Sequence, residues 1–204
     1  MGVTLFGKAV AKRALEIALV GDLNIALVGP RGVGKRTTLT AFAELSPKAR
    51  AVDTCACGNH GAIRRACTCP PRMLYRWLRR FDLRIASTAE ILVEVPEPTH
   101  KDMAAPPQDS PEWLAEAAER ICRAKFFGLE NYTLELSDDA ARRTMELAAR
   151  KLGFSPWRYE AVLRVARAVA NLGASPTLQA RHVAEAAQYA DLYYMRPESL
   201  EASK

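Results

Sequence analysis

The sequence predicts an α/β fold: a truncated parallel-sheet core built around a phosphate-binding loop, followed by an all-helical C-terminal subdomain. Three observations predict it. Residues 23–29, LNIALVG, form a short apolar run that leads directly into GPRGVGK. A second apolar run, ILVEV at 91–95, stops at Pro96. Beyond residue 110 the pattern turns helical, with polar caps followed by proline or acid.

Taken in order, residues 7–20 place Val10, Ala14, Ile17 and Ala18 at helical spacing, with Lys8, Lys12, Arg13 and Glu16 mostly on another face. Gly21-Asp22 breaks that helix. The apolar run at 23–29 suits a strand buried on both faces of a parallel sheet. The glycine-rich loop comes next, then a helix from about Lys35 to Leu45, stopped by Ser46-Pro47. Strand, glycine-rich loop and helix is the order a phosphate loop requires. Residues 50–53, RAVD, are a candidate second strand, and Pro70-Pro71 opens a basic helix, RMLYRWLRRF.

Residues 96–111 hold five prolines in sixteen positions and read as a linker. Downstream, Ser110-Pro111, Ser137-Asp138-Asp139 and Ser155-Pro156 begin helices, while Gly153 and Gly173 end them. A last helix is expected from about Leu178 to Tyr194, then a frayed tail at 197–204. The expected domains are a reduced α/β unit at 1–98 with a cysteine-rich insert at 55–69, a linker at 99–109, and a helical unit at 110–196.

An apolar content of 49% with 25% charged residues is that of an ordinary soluble globular chain. No apolar run approaches the roughly 20 residues that span a bilayer, and the start lacks the layout of a signal peptide. A cytoplasmic protein with no membrane partner is therefore expected. The net charge of +6 is compatible with a phosphate-bearing partner and equally with plain solubility.

The loop carries the main chemical signal. Gly29, Pro30, Arg31, Gly32, Val33, Gly34, Lys35, Arg36 and Thr37 are the candidate nucleotide-binding residues. Glycines let successive backbone N–H groups curl around phosphate oxygens, and the helix start adds its positive dipole end. Lys35 would reach the β and γ phosphates. Arg36 departs from the pattern. A Ser or Thr hydroxyl there ordinarily holds magnesium, and a guanidinium has no acceptor to offer a cation. Thr37 lies about 100° further round the helix, where it can serve the α phosphate but cannot simply replace the missing ligand.

Cys55, Cys57, Cys67 and Cys69 make a C-x-C pair repeated after nine residues. Four thiolates suit tetrahedral zinc closing a loop with little core of its own, and His60 is a possible substitute ligand within it. Free thiols in a compact turn, or two disulfides under oxidant, are the competing readings. Cys122 stands alone on a helical pattern and reads as a small buried hydrophobe. Arg64, Arg65, Arg72, Arg76, Arg79, Arg80 and Arg84 cluster around Tyr75, Trp77 and Phe81. That mixture is either a surface for single-stranded nucleic acid or an amphipathic helix with solvated arginines. Trp113 and Trp157 read as packing anchors.

Three stretches together carry a family resemblance. They are AKRALEIALVGDLNIALVGPRGVGK; then CACGNHGAIRRACTCPP with YRWLRR and LVEVP after it; and AVLRVARAVANLGASPTLQARHVAEAAQYA. In them the chain resembles the magnesium-chelatase-like AAA+ ATPases of the ComM (YifB) type, in a shortened form. The resemblance implies an AAA+ fold, ATP or ADP with Mg2+, assembly into a homo-oligomer or larger AAA+ complex, and action on single-stranded or branched DNA.

Departures from the family pattern bear on hydrolysis. No apolar strand ending in two acids lies between the loop and Cys55, so the Walker B pair is missing. Asp53-Thr54 replaces the family's Asn-Pro, and Thr88 stands where an arginine finger is expected. The sensor-arginine position falls on Trp157, with Arg158 its nearest substitute. Such losses compound, because phosphoryl transfer relies on several positioned charges at once. The expectation is nucleotide binding with weak or no turnover. Two alternatives stand beside it: a DNA-stimulated ATPase completed by a partner subunit, and a zinc-stabilised DNA-binding module with a vestigial loop.

Overall fold

The computed structural model describes residues 9–41, 48–104, 111–192 and 195, the side chains of residues 41 and 111–113 excepted. The expected stop at Ser46-Pro47, the prolines at 106 and 107, the cap Ser110, the side chain of Trp113, Tyr194 and the tail lie outside them. In chain order the elements are α1 (Ala9–Gly21), β1 (Ile25–Gly29), α2 (Lys35–Ala41), β2 (Ala49–Asp53) and α3 (Pro71–Phe81). A π-helical turn (Asp82–Ala86) follows, then β3 (Ile91–Glu94), α4 (His100–Ala104), α5 (Pro111–Glu130), α6 (Asp139–Leu152), α7 (Pro156–Leu172) and α8 (Ala180–Ala187). A truncated α/β core followed by a helical C-terminal part is therefore the fold. Among the described residues no helix is long and apolar enough to cross a membrane.

The three strands are parallel in the order β2-β1-β3, with β1 central and buried along its whole length. Side chains alternate across a strand, so Ile25 and Leu27 face one way and Ala26 and Val28 the other. Ile25, Leu27, Ile91 and Val93 join a large core with residues of α1, α5, α7 and α8. Ala26, Val28 and Leu92 meet Leu74, Leu78 and Phe81 of α3 and the Cys55 side chain. The sheet is thus sandwiched, and both faces are needed to explain its continuous apolar strands.

Local signals match the helix ends. Asp138 caps α6 by accepting from the Ala141 N–H at 2.7 Å, and Ser155 caps α7 by accepting from Arg158 N–H at 3.2 Å. Three features differ from the sequence reading, the first being that α8 ends at Ala187, well before the expected end near Tyr194. α4 stands inside the proline-rich linker, started by Thr99 and Asp102, whose side chains bond reciprocally to each other's backbone N–H. The basic helix continues beyond Phe81 as the π-helical turn, which Ser87 and Thr88 close by donating to carbonyls of Leu83, Arg84 and Ile85.

Candidate functional site

β1 delivers its last residue, Gly29, to the edge where the loop begins. A Cβ there would lie 2.2 Å from the Val95 carbonyl oxygen, so only glycine fits beside β3. Val33 turns inward and is buried in the main core, anchoring the loop from below. Lys35 opens α2 and folds its side chain back inside the loop, where it is only 5% exposed. Its ammonium donates to the carbonyls of Gly29 at 2.8 Å and Pro30 at 2.7 Å. A third contact, at 3.0 Å, goes to Asp53 Oδ1.

In the sequence Asp53 stands only as the replacement for the family's asparagine, and the structure brings it to the loop. The parallel register pairs Gly29 with Asp53 at the ends of β1 and β2. That puts a carboxylate directly beside the loop. Its other oxygen accepts from Arg31 Nε at 3.4 Å. Burial pushes the Asp53 carboxyl up, but Lys35 and then Arg31 outweigh it and hold it below its ordinary range. A cavity of about 190 Å³ opens here, lined by Arg31, Gly32, Gly34, Lys35, Arg36, Thr37, Ala51 and Asp53. Thr37 and Arg36 are exposed at its rim, and Thr38 is turned inward, donating to the Gly34 carbonyl at 2.9 Å.

The four predicted cysteines come together next to this loop. Their sulfurs all lie within 4.8 Å of one another. Cys55 Sγ is 3.3 Å from Cys57 and 3.7 Å from Cys67, and Cys57 is 3.7 Å from Cys67. Zinc–sulfur bonds of about 2.3 Å in a tetrahedron set sulfur–sulfur edges near 3.8 Å, so the donor set fits zinc with little adjustment. Backbone N–H groups support it: Cys57 donates to Cys69 Sγ at 3.4 Å and His60 to Cys55 Sγ at 3.3 Å. His60 therefore contributes its amide to the cluster. Backbone donors at Thr68 and Asn59 hold the Cys57 thiol down at about 5, while burial and the neighbouring thiols push Cys67 up to about 12. Packed thiols cannot all ionise side by side, and a dication removes that conflict. Cys122 is exposed on α5, contrary to its expected burial.

The family described as magnesium chelatase, subunit ChlI, matches residues 3–53, and its C-terminal counterpart, magnesium chelatase, subunit ChlI C-terminal, matches residues 129–190. The two matches support a magnesium-chelatase-like family. No curated protein matches the chain. The first matched segment of this magnesium-chelatase-like chain ends on Asp53, and the second holds α6, α7 and α8. The cysteine cluster and α3 lie between them.

Thr88 and Arg158, which stand at or beside the family's finger and sensor positions, lie away from the loop. Thr88 donates to the Arg84 and Ile85 carbonyls of its own turn. Arg158 is buried and donates to the carbonyls of Ala86, Ala89 and Glu90, ahead of β3. That is the opposite edge of the sheet from the loop, about 16 Å away along five residues of strand. Arg158 therefore lies away from this chain's own phosphate loop. Along α3 and its flanks, Arg64, Arg65, Arg72, Arg76, Arg79, Arg80 and Arg84 are all exposed, while Leu74, Leu78 and Phe81 pack inward. Trp77 is half-buried and donates from Nε1 to the Asp53 carbonyl at 3.3 Å, so it braces the site.

Proposed function

We propose that this chain is a nucleotide-binding, magnesium-chelatase-like AAA+ protein of the shortened ComM type that holds ATP or ADP through Gly29, Pro30, Arg31, Gly32, Val33, Gly34, Lys35, Arg36 and Thr37. One observation carries the reading: a buried Lys35 folded into a glycine loop between a buried strand and a helix. The cavity's rim residues are those a phosphate chain would meet. Turnover is weak or absent, because Thr88 and Arg158 are spent on carbonyls and the Walker B strand is missing from the sequence. Zinc on Cys55, Cys57, Cys67 and Cys69 has a structural role, fastening the segment that follows β2. The domain scheme of 1–98 and 110–196 follows the family pattern, with homo-oligomer assembly as its corollary.

The deciding experiment is titration with labelled ATP and ADP, followed by a phosphate-release assay. Micromolar binding is expected, lost by about tenfold or more in Lys35→Ala through removal of a charged hydrogen-bonding partner. Phosphate release is expected to stay at background. Failure to bind either nucleotide at millimolar concentration removes the reading.

Action on single-stranded or branched DNA is a second reading, favoured by one observation. Among the described residues, none of Arg65, Arg72, Arg76, Arg79, Arg80 and Arg84 has a carboxylate partner. A set of unpaired guanidiniums on α3 and its flanks suits a polyanion. Salt-dependent binding to a single-stranded oligonucleotide, weakened in Arg76→Ala/Arg80→Ala, is the expected result. DNA-stimulated phosphate release would instead favour an ATPase completed by a partner.

A further inference from the structure

The three N–H donors of the Lys35 ammonium meet three protein oxygens: the Gly29 and Pro30 carbonyls and Asp53 Oδ1. Two of these are built into the loop and move only with it. The third is a side chain from the neighbouring strand. Among the residues lining the cavity, Asp53 is the one carboxylate. It therefore occupies, as an internal anion, the partner position on Lys35 that a phosphate group needs. A metal-free nucleotide arriving there meets like charge and must draw Lys35 away from Asp53.

A divalent cation reverses the sign of that encounter. Magnesium takes oxygen ligands and is commonly held by one or two carboxylates together with substrate phosphates. Arg36 cannot supply a ligand, and Thr38 donates its hydroxyl to the Gly34 carbonyl. Asp53, by contrast, is aimed into the cavity from a fixed backbone. Its amide is in register with Gly29, its carbonyl accepts from Trp77, and the cysteine cluster begins two residues on.

We infer that Asp53 is the magnesium-bearing group of this loop, giving up its ion pair with Lys35 when a magnesium nucleotide binds and opposing nucleotide binding when the metal is absent. The inference rests on the nucleotide-binding reading above. It makes Asp53 a specificity-determining residue that selects the metal complex over the free nucleotide.

The test is a thermodynamic cycle on the full chain. ADP and ATP binding to wild type and Asp53→Asn is measured with magnesium chloride present or withheld, without chelators, so that the cysteine cluster is undisturbed. In wild type, magnesium is expected to tighten binding by about tenfold, a usual size for coupling between two ligands. In Asp53→Asn, binding without metal is expected to tighten and the magnesium effect to shrink to about twofold or less. Equal magnesium effects in the two chains, or none in wild type, overturn the inference while leaving nucleotide binding intact. Absence of binding in both chains under both conditions overturns the underlying reading as well. Should Asp53→Asn fail to fold, pulsed EPR of Mn2+-ADP on wild type carrying 13C-carboxylate aspartate decides instead. A hyperfine coupling to the carboxylate carbon of an oxygen-ligating aspartate is expected, and its absence rules Asp53 out.

Discussion

At Ala174 the backbone takes a left-handed conformation, φ 48°, immediately after Gly173 ends α7 with φ −90°. The glycine thus stands one position before the residue that needs it. A left-handed conformation costs an L-residue about 1–2 kcal/mol, and glycine's extra unfolded-state entropy offsets about 0.5–1 kcal/mol of that. Ala174→Gly is therefore expected to stabilise the protein by about 0.5–1 kcal/mol, read as a higher denaturant midpoint with unchanged slope. His182 offers a second test at this scale. Its Nδ1 accepts from the Gln179 N–H at 3.1 Å, which requires a neutral ring. Burial first, then Arg181 and Arg167, lower its affinity for a proton. The unfolded chain then binds more protons, so stability is full above the ordinary value of 6.5 and falls as pH drops through it toward the folded value. His182→Gln keeps a side chain suited to a capping box and should show a shallower loss between neutral and mildly acidic pH. Identical slopes in the two proteins would contradict the assignment.

Among the elements, the most consequential contact joins the phosphate loop to the cysteine loop. The Arg31 N–H donates to the Gly58 carbonyl at 2.7 Å, and Arg31 Nη2 reaches the Ala56 carbonyl at 3.5 Å. Gly58 has φ 83°, and a Cβ on it would lie 2.6 Å from the Arg31 Cβ. The cluster that holds Cys55 and Cys57 in place therefore also holds Arg31 and Asp53. With zinc on the four cysteines as proposed above, removing that metal is expected to weaken nucleotide binding several-fold, within the usual range of coupling between sites. Gly58→Ala should do the same with metal still bound, since it strains the shared contact directly. Calorimetry with ADP at fixed magnesium checks both, and unchanged affinity in metal-free protein would show the loops to be independent. This junction also marks where sequence reading ran out. β1, β3 and the caps Asp138 and Ser155 were legible because apolar runs, glycines and capping residues act locally. The cysteines were legible by spacing. Asp53 was not, because its meaning comes from the β1–β2 register, a nonlocal pairing with no local signature. The α4 helix was hidden by neighbouring prolines, although Thr99 and Asp102 formed a readable capping box. Nothing in DLRIA distinguishes a π-helical turn from a continued α-helix.

For the molecule as a whole, the question is whether the sheet and the helical C-terminal part are separable. Their packing argues that they are one folding unit. Ile25, Leu27, Ile91 and Val93 share a core with Ile121, Val162, Val165, Val169, Leu178 and Val183. α1, which precedes the sheet in sequence, packs mainly on α7 and α5. A polar tie reinforces the apolar one. Glu90, almost fully buried, accepts from the backbone and side-chain N–H groups of Asn24 at 2.9 Å and pairs with Arg164 of α7 at 3.2 Å. Breaking a buried ion pair by removing one partner costs about 3–5 kcal/mol when the survivor is fully enclosed. Arg164 keeps a third of its side chain exposed, so removing Glu90 costs less than removing Arg164, which would leave the enclosed carboxylate unpaired. A fragment of residues 1–98 would present part of one sheet face, the side of α1 that packs on α5 and α7, and the Glu90 carboxylate to water. It would also have only three short strands to offset its chain entropy. We expect that fragment to lack cooperative unfolding and slow amide exchange, while the full chain unfolds in a single transition with coincident signals from circular dichroism and tryptophan fluorescence. Two separate transitions in the full chain, the second reproduced by residues 110–196 alone, would mean that the shared core does not couple the two halves.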